Sequence, residues 1–311
     1  MLTPTPHIPM ERRLIAWLRE RLPPHPLLRL GLGDDAAVIE MADVERCVVT
    51  TDLLSDGVDF IVGEVDPRRI GHKALGANLS DLAAMAAEPL AAVVSLLLPR
   101  DGAFELAVGL YEGMIPLAER YGLALAGGDT NAWDGPLAVS ATLIGRVTEQ
   151  GPLRRDGAQP GDCVVVTGPL GGSILGRHLD VAPRVAEALD LHRRYNLHAG
   201  IDCSDGLSVD VMHLIEESGC GAVLDAASIP VHPDAHRLSE QRGDGVAPLE
   251  HALHDGEDFE LILAVPPVDA RRITADTAAS IIGHFDGAPG LRIRDAAGTV
   301  RPLQPRGWEH A

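Results

Sequence analysis

Aromatic side chains are scarce in this chain, with three Trp, three Tyr and four Phe among 311 residues. Leu, Val, Ile and Ala must therefore supply most of any core. Basic residues are also in deficit. Lys plus Arg number 26 against 45 Asp plus Glu, a formal net charge of −19 with His neutral. A surface this acidic repels nucleic acid and anionic membranes. It would repel an anionic substrate too, unless bound cations intervene. The four cysteines, Cys47, Cys163, Cys203 and Cys220, show no CxxC spacing, and buried reduced thiols are expected. No apolar run approaches membrane-spanning length; "LAAVVSLLL" at 90–98 has nine residues before Pro99. The start, MLTPTPHIPM, lacks the basic-then-apolar pattern of a secretion signal. The expectation is a soluble cytoplasmic protein without nucleic-acid or membrane partners. A P-loop (G-x-x-x-x-G-K-[ST]) and an HExxH pattern are both missing.

What is present is an alternation of helix and strand signals. "ERRLIAWLRERL" (11–22) predicts an amphipathic helix, closed by Pro23, Pro24 and Pro26. "AAVIEM" and "RCVVTTDLL" predict strands with a turn around Asp43. Residues 67–87 predict a helix, with Pro67 in its first turn and Pro89 as its stop. "LAAVVSLLLP" predicts a buried strand and 103–121 a second helix. "LALAGGDT" reads as a strand running into a glycine turn, and "PLAVSATLIGRV" (136–147) as another strand. The pattern is α/β. The Gly-, Pro- and charge-rich segment 148–162 marks a boundary between domains over 1–147 and 148–311. Beyond it, "CVVVTGPLGGSILG" reads as strand, glycine turn and helix start. "IDCSDGLSVDVMHLIEESG" reads as loop and helix, and "GAVLDAASIP" and "FELILAVP" as strands.

Carboxylates recur at the ends of apolar elements: Asp34-Asp35, Thr50-Thr51-Asp52, Ser80-Asp81, Gly128-Asp129, Asp202-x-Ser204-Asp205-Gly206 and Gly256-Glu257-Asp258. Taken singly, each reads better as a turn or helix cap. Recurrence shifts the reading, because clustered carboxylates need cations and hard oxygen donors suit Mg²⁺. Glycine beside aspartate lets a polyphosphate approach the backbone. "GPLGGS" (168–173) alone reads better as a strand-to-helix turn than as a phosphate loop. The histidines of "HPDAH" and "HALHDGED" read as solvated loop residues rather than zinc ligands. Lys73 could reach a phosphate, balance a carboxylate or lie on a solvated helix face.

Together and in this order, the motifs resemble the thiamine-monophosphate kinase family, in the superfamily of aminoimidazole ribonucleotide synthetase and selenophosphate synthetase. The resemblance is carried by "GLGDDAAVI", "TTDLLSDGVDF", "GHKALGANLSDLAAMAAEP", "LAGGDT", "PLRRDGAQPGDCVVVTGPLGGS", "IDCSDGLSVD" and "DGEDFELILAVP", with a final "RGWEH". It implies a two-domain α/β (α+β) fold of the aminoimidazole ribonucleotide synthetase type. The N-terminal sheet would bind Mg²⁺ and ATP and pair with a second subunit's sheet in a dimer barrel. The C-terminal α/β domain would close a cleft over ATP. The implied reaction is transfer of the γ-phosphoryl of ATP to thiamine monophosphate. The motifs supply carboxylates, hydroxyls and one arginine, a set suited to cations around a loose transition state, so direct in-line transfer without a phosphoenzyme is expected.

Carried over by residue, Asp34, Asp35, Thr50, Thr51, Asp52, Asp81, Asp129, Asp202 and Asp205 are implied ligands of several Mg²⁺ ions. Tyr111, Gly128, Asp129, Arg155 and Ser204 are implied ATP contacts. Glu257 and Trp308 are implied contacts of the thiamine moiety, where a carboxylate and an aromatic face suit a cation. Asp59 stands where the family usually has a substrate-contacting histidine. Ala86-Ala87 replaces the usual Gly-Ala, Cys203 an apolar residue and Phe259 a tyrosine. The alternatives are another ATP-using enzyme of the superfamily or a non-catalytic nucleotide-binding maturation scaffold. A selenophosphate synthetase would need a reactive Cys in an N-terminal glycine-rich segment, whereas the first cysteine here is Cys47, in a predicted strand. A scaffold need not keep the acidic set.

Overall fold

The computed structural model describes residues 10–30, 38–41 and 46–308. Asp34, Asp35 and the turn at Asp43 lie outside the described residues. The chain divides into two compact units. One comprises Met1–Asn78 and Pro89–Arg146, the other Leu79–Glu88 and Val147–Ala311.

The first unit begins with α1 (Met10–Arg21). A two-stranded antiparallel ribbon follows, β1 (Leu28–Leu30) with β2 (Val38–Ile39). Next come β3 (Cys47–Ser55), α2 (Pro67–Ala84), β4 (Ala87–Pro99), α3 (Ala103–Arg120), β5 (Ala124–Trp133) and β6 (Ala138–Val147). The last four strands form a sheet in the order β3-β6-β4-β5. β3 and β6 run antiparallel, whereas β4 and β5, joined through α3, run parallel. Buried residues of α3 recur at helical spacing, from Ala103 through Ala107, Leu110, Tyr111 and Met114 to Leu117 and Ala118. α2 and α3 touch backbone to backbone where glycine permits it. A Cβ on Gly71 would lie 1.9 Å from Leu110 O, and one on Gly113 would lie 1.8 Å from Arg68 O.

Two boundaries differ from expectation. Helix α2 stops at Ala84, well before Pro89, because Ala86 takes a left-handed φ of +49° and turns the chain into β4. Pro89 therefore lies inside the strand. Nor do the glycines of "LALAGGDT" form a turn. β5 continues through them with a bulge before Gly127, and Gly128 is needed because a Cβ would lie 1.7 Å from Val94 O. One side of the sheet leaves large apolar side chains in solvent, including Val49 at 61% and Leu53 at 68% exposure. Cys47 is also exposed, against the expectation of buried thiols. Cys203 and Cys220 are buried and Cys163 partly so, and all four are unbridged.

The second unit is built on a seven-stranded sheet. Its strands are β7 (Cys163–Val166), β8 (Ala199–Asp202), β9 (Gly221–Asp225), β10 (Leu261–Val265), β11 (Ser280–Asp286), β12 (Gly290–Arg294) and β13 (Val300–Pro302). The order is β13-β12-β9-β11-β7-β10-β8. Helices α4 (Val185–Arg194), α5 (Leu207–Ser218), α6 (Pro233–Arg242), α7 (Pro248–His254) and α8 (Pro267–Asp276) accompany it. The sheet is mostly antiparallel, with β9 and β12 parallel. β10 is buried at every position, as a central strand requires. "IDCSDG" was expected as a loop, but Ile201 and Asp202 end β8. The helix start expected after "GPLGGS" is only two 3₁₀ turns, Ser173–Leu175 and Arg177–Leu179. Among the described residues, no helix is long and apolar enough to cross a membrane.

Candidate active site

In the first unit the expected ligands lie on β3 and β5. Strand alternation puts Thr50 and Asp52 on one face of β3 and Thr51 on the other. Thr51 Oγ1 donates to Ala141 O at 3.1 Å and stands 2.9 Å from Thr142 Oγ1, so that hydroxyl serves the sheet. Asp129 is exposed on β5, and its Oδ1 accepts the Thr130 N–H at 2.9 Å. Tyr111 is buried on α3, and burial pushes its phenol up to about 12.

Lys73, the only lysine in the chain, is fully buried on α2. The solvated-face alternative is thereby excluded. Its Nζ donates to Asp59 O at 3.1 Å. Asp59 closes the turn after β3, its Oδ2 accepting the Ser55 N–H at 2.7 Å. Asp59, where the resemblance leads one to expect a histidine, thus staples its own loop.

In the second unit, antiparallel pairing brings the carboxyl ends of β7 and β8 to the amino end of β10. The motifs at these three ends therefore meet. Asp202 ends β8 at 3% exposure, and Ser80 Oγ on α2 donates to its Oδ2 at 2.7 Å. Burial pushes the Asp202 carboxyl up, and the Asp81 carboxylate pushes it further. The Ser80 hydrogen bond and the Arg155 charge pull it down. Arg155 itself is exposed.

The Ser204–Asp205 loop is held from beneath by Asp210 on α5. Asp210 Oδ2 accepts the N–H groups of Asp205 and Gly206 at 3.2 and 3.0 Å. Burial, together with the charges of Asp202 and Asp205, pushes the Asp210 carboxyl well up, against those bonds. Asp210 was not anticipated, nor was His213. Their i, i+3 spacing on a helix after Asp205 was the available signal. The donor atoms of Asp205, Asp210 and His213 lie within 4.8 Å of one another.

The segment "DGEDFE" wraps the other side of the loop. Glu257 N–H donates to Ser204 O at 2.7 Å, and the N–H groups of Asp258 and Phe259 donate to Cys203 O at 3.1 and 2.9 Å. Glu257 and Phe259 both adopt left-handed φ values, +51° and +53°. Such residues cost roughly 1–2 kcal/mol each and collect at functional positions. Trp308 N–H donates to Asp205 O at 3.1 Å, and its side chain is 52% exposed. Ser204, Asp205, Glu257 and Trp308, scattered in sequence, therefore share one loop cluster.

The glycine turn "GPLGGS" is not a phosphate cradle. Gly171 N–H donates to both oxygens of Asp258, at 3.0 and 2.8 Å, and Gly172 N–H to Asp255 Oδ2 at 3.0 Å. Arg177 Nη2 donates to Asp258 Oδ1 at 3.0 Å. Burial pushes the Asp258 carboxyl up to about 7, with Arg177 opposing. Of the histidines expected to be solvated, His236 is exposed, though on α6 rather than a loop, while His232 and His251 are engaged. His232 caps α6, its Nδ1 accepting the Asp234 N–H at 3.0 Å. His251 is buried on α7, 2.9 Å from Asp255 Oδ1.

The family model described as AIR synthase related protein, N-terminal domain, matches residues 33–147. A thiamine-monophosphate kinase of Rhodopirellula baltica is 43% identical over 311 residues, covering 97% of each chain. The crystal structure of thiamine-monophosphate kinase from Stenotrophomonas maltophilia K279a is 32% identical with a TM-score of 0.76, covering 93% of this chain and 96% of that one. The structure of AaThiL complexed with AMPPCP and TMP is 27% identical with a TM-score of 0.77, covering 97% and 96%. The α/β fold is thus shared with these structures over nearly the whole chain. With identity of this order running nearly end to end, the chain belongs to the thiamine-monophosphate kinase family.

Proposed function

We propose that the protein transfers the γ-phosphoryl of ATP to thiamine monophosphate, giving thiamine diphosphate and ADP in thiamine diphosphate synthesis in the cytoplasm. The relatives' names and the nucleotide analogue and TMP held by AaThiL support this reading. The observation that carries it is the Ser80–Asp202 hydrogen bond beside Asp81, where a buried carboxylate and a half-buried one lie near each other.

The donors there are all oxygen atoms, a hard set that fits Mg²⁺. Asp81, Asp202 and Asp205 in the second unit, and Thr50, Thr51, Asp52 and Asp129 in the first, would hold several such ions. Asp34 and Asp35 join them in this proposal on sequence grounds alone. Bound Mg²⁺ would neutralise the phosphate oxygens and let two anions approach. Arg155, Ser204, Gly128 and Tyr111 serve the nucleotide. Glu257 sets a carboxylate, and Trp308 an aromatic face, toward the cationic thiazolium. Asp59 is assigned to the acceptor side. No side chain need act as a strong base, because the acceptor is already a phosphate monoester whose oxygen is nucleophilic near neutral pH.

ADP release with and without thiamine monophosphate tests the reaction; release independent of the acceptor would overturn it. Asp129→Ala and Asp52→Ala test the metal set and should lower turnover on the order of a hundredfold or more. Near-normal turnover at moderate Mg²⁺ would remove them from it. Inversion at a chiral, isotopically labelled γ-phosphorus is expected for in-line transfer. Retention, or labelled protein after exposure to γ-labelled ATP alone, would point to a phosphoenzyme.

The exposed apolar side of the first unit's sheet, with Val49 and Leu53, supports a homodimer. Sedimentation of only a 32.9 kDa species at micromolar concentration would refute it.

A further inference from the structure

Helix α5 starts beside the Asp205 loop, and the C-terminal tail docks on its first turn. Ser208 is fully buried there. Its Oγ donates to Arg306 O at 2.9 Å and accepts the Arg306 N–H at 3.1 Å. His254, the last residue of α7, brings Nδ1 to 2.9 Å from Ser208 Oγ and 3.1 Å from Arg306 O. One proton assignment satisfies the Ser208 hydroxyl and both main-chain groups of Arg306. Nδ1–H faces the two oxygens, while the hydroxyl donates to the carbonyl and accepts the amide. A single side chain thus engages both main-chain polar groups of Arg306.

Steric fit continues the registration. A Cβ on Gly307 would lie 2.0 Å from Asp205 O, the oxygen that accepts the Trp308 N–H. Among the described residues Leu303 is the last that is buried, and residues 304–308 are all exposed. Side-chain burial therefore does not anchor 304–308. A serine serving only its own helix would bond within the first turn, whereas the partners of Ser208 are 46 and 98 residues away.

We propose that Ser208, backed by His254, is a positioning residue that sets the tail so that Trp308 presents its indole to the thiazolium of the acceptor. The proposal rests on the reading above that Trp308 contacts the acceptor. It predicts an effect specific to that substrate, because Asp205 is held independently by Asp210.

The test is steady-state kinetics of full-length Ser208→Ala, Gly307→Ala and Trp308→Ala, with anisotropy of Trp308 fluorescence in a Trp17→Phe/Trp133→Phe background. Gly307→Ala lifts the tail from Asp205 without altering any buried side chain, so it carries the test if Ser208→Ala folds poorly. For both, KM for thiamine monophosphate should rise about tenfold, the equivalent of one or two lost hydrogen bonds. KM for ATP should stay within about twofold, and the Trp308 anisotropy should fall. Wild-type KM and anisotropy in these variants would overturn the proposal, as would equal rises in both KM values. An unchanged acceptor KM in Trp308→Ala would instead overturn the underlying reading of Trp308.

Discussion

Ser80 and Asp202 are 122 residues apart in sequence, yet the Ser80 hydroxyl donates to Asp202 Oδ2 at 2.7 Å. The bond opposes the two influences that raise the Asp202 carboxyl, its burial and the charge of Asp81. Ser80→Ala removes the donor and leaves the carboxylate less satisfied, at a cost of about 1–3 kcal/mol. The Mg²⁺ concentration for half-maximal ADP release should rise about tenfold, as for other groups that orient metal ligands. An unchanged requirement in a folded variant would place Asp202 outside the metal set.

Asp59 separates two effects. Its Oδ2 accepts the Ser55 N–H, which Asp59→Asn preserves and Asp59→His does not. The histidine variant should lose about 1 kcal/mol of stability, and the asparagine variant much less. Both change the charge offered to the acceptor, so both should alter KM for thiamine monophosphate more than KM for ATP. Equal kinetics for both substrates in wild type and variants would move Asp59 away from the acceptor.

Asp258 gives a pH dependence of known sign. Its carboxyl is raised to about 7 in the folded chain, against roughly 3.9 unfolded. Between those values the folded state keeps a proton that the unfolded state has lost. The stabilisation is complete below the unfolded value and is lost as pH rises through about 7. Urea midpoints of wild type, relative to Asp258→Asn, should therefore fall between about pH 5 and about pH 8. A constant difference would mean that Arg177 keeps Asp258 ionised throughout.

Ala86 holds a left-handed φ of +49° just after α2, a conformation that favours glycine. Relief of that strain is worth roughly 1 kcal/mol, and loss of the buried methyl costs about as much. Ala86→Gly should therefore unfold at a urea concentration no lower than wild type. Ala83→Gly, inside the same helix, should lose about 1 kcal/mol or more. Equal losses in the two variants would show that the backbone at Ala86 is not strained.

Local pattern made much of this legible. The apolar periods of α1, α2 and α3 carry their own spacing, and the resemblance put Asp202, Ser204, Asp205, Glu257 and Trp308 into one function. What eluded the sequence depends on distant partners. Nothing near Gly128 reveals that Val94 O lies against it. The N–H groups of Gly171 and Gly172 look available until Asp258 and Asp255 arrive from some eighty residues away. Lys73 and His251 have the composition of solvated residues, and only tertiary packing shows them buried. Asp210 was missed because its role is to hold the backbone of Asp205 and Gly206, which leaves no mark on composition.

Leu79–Glu88 belongs with the second unit although it lies deep in the N-terminal half of the chain. Leu153 N–H donates to Met85 O, and Ser80 reaches Asp202. A gene fragment beginning after residue 147 would thus encode neither Ser80 nor Asp81. Recombination that exchanged the two halves between relatives would separate Ser80 from the carboxylate it bonds. The halves are consequently poor cassettes for shuffling, and their histories should be tied together. Phylogenies built separately from the two parts of the gene should branch alike.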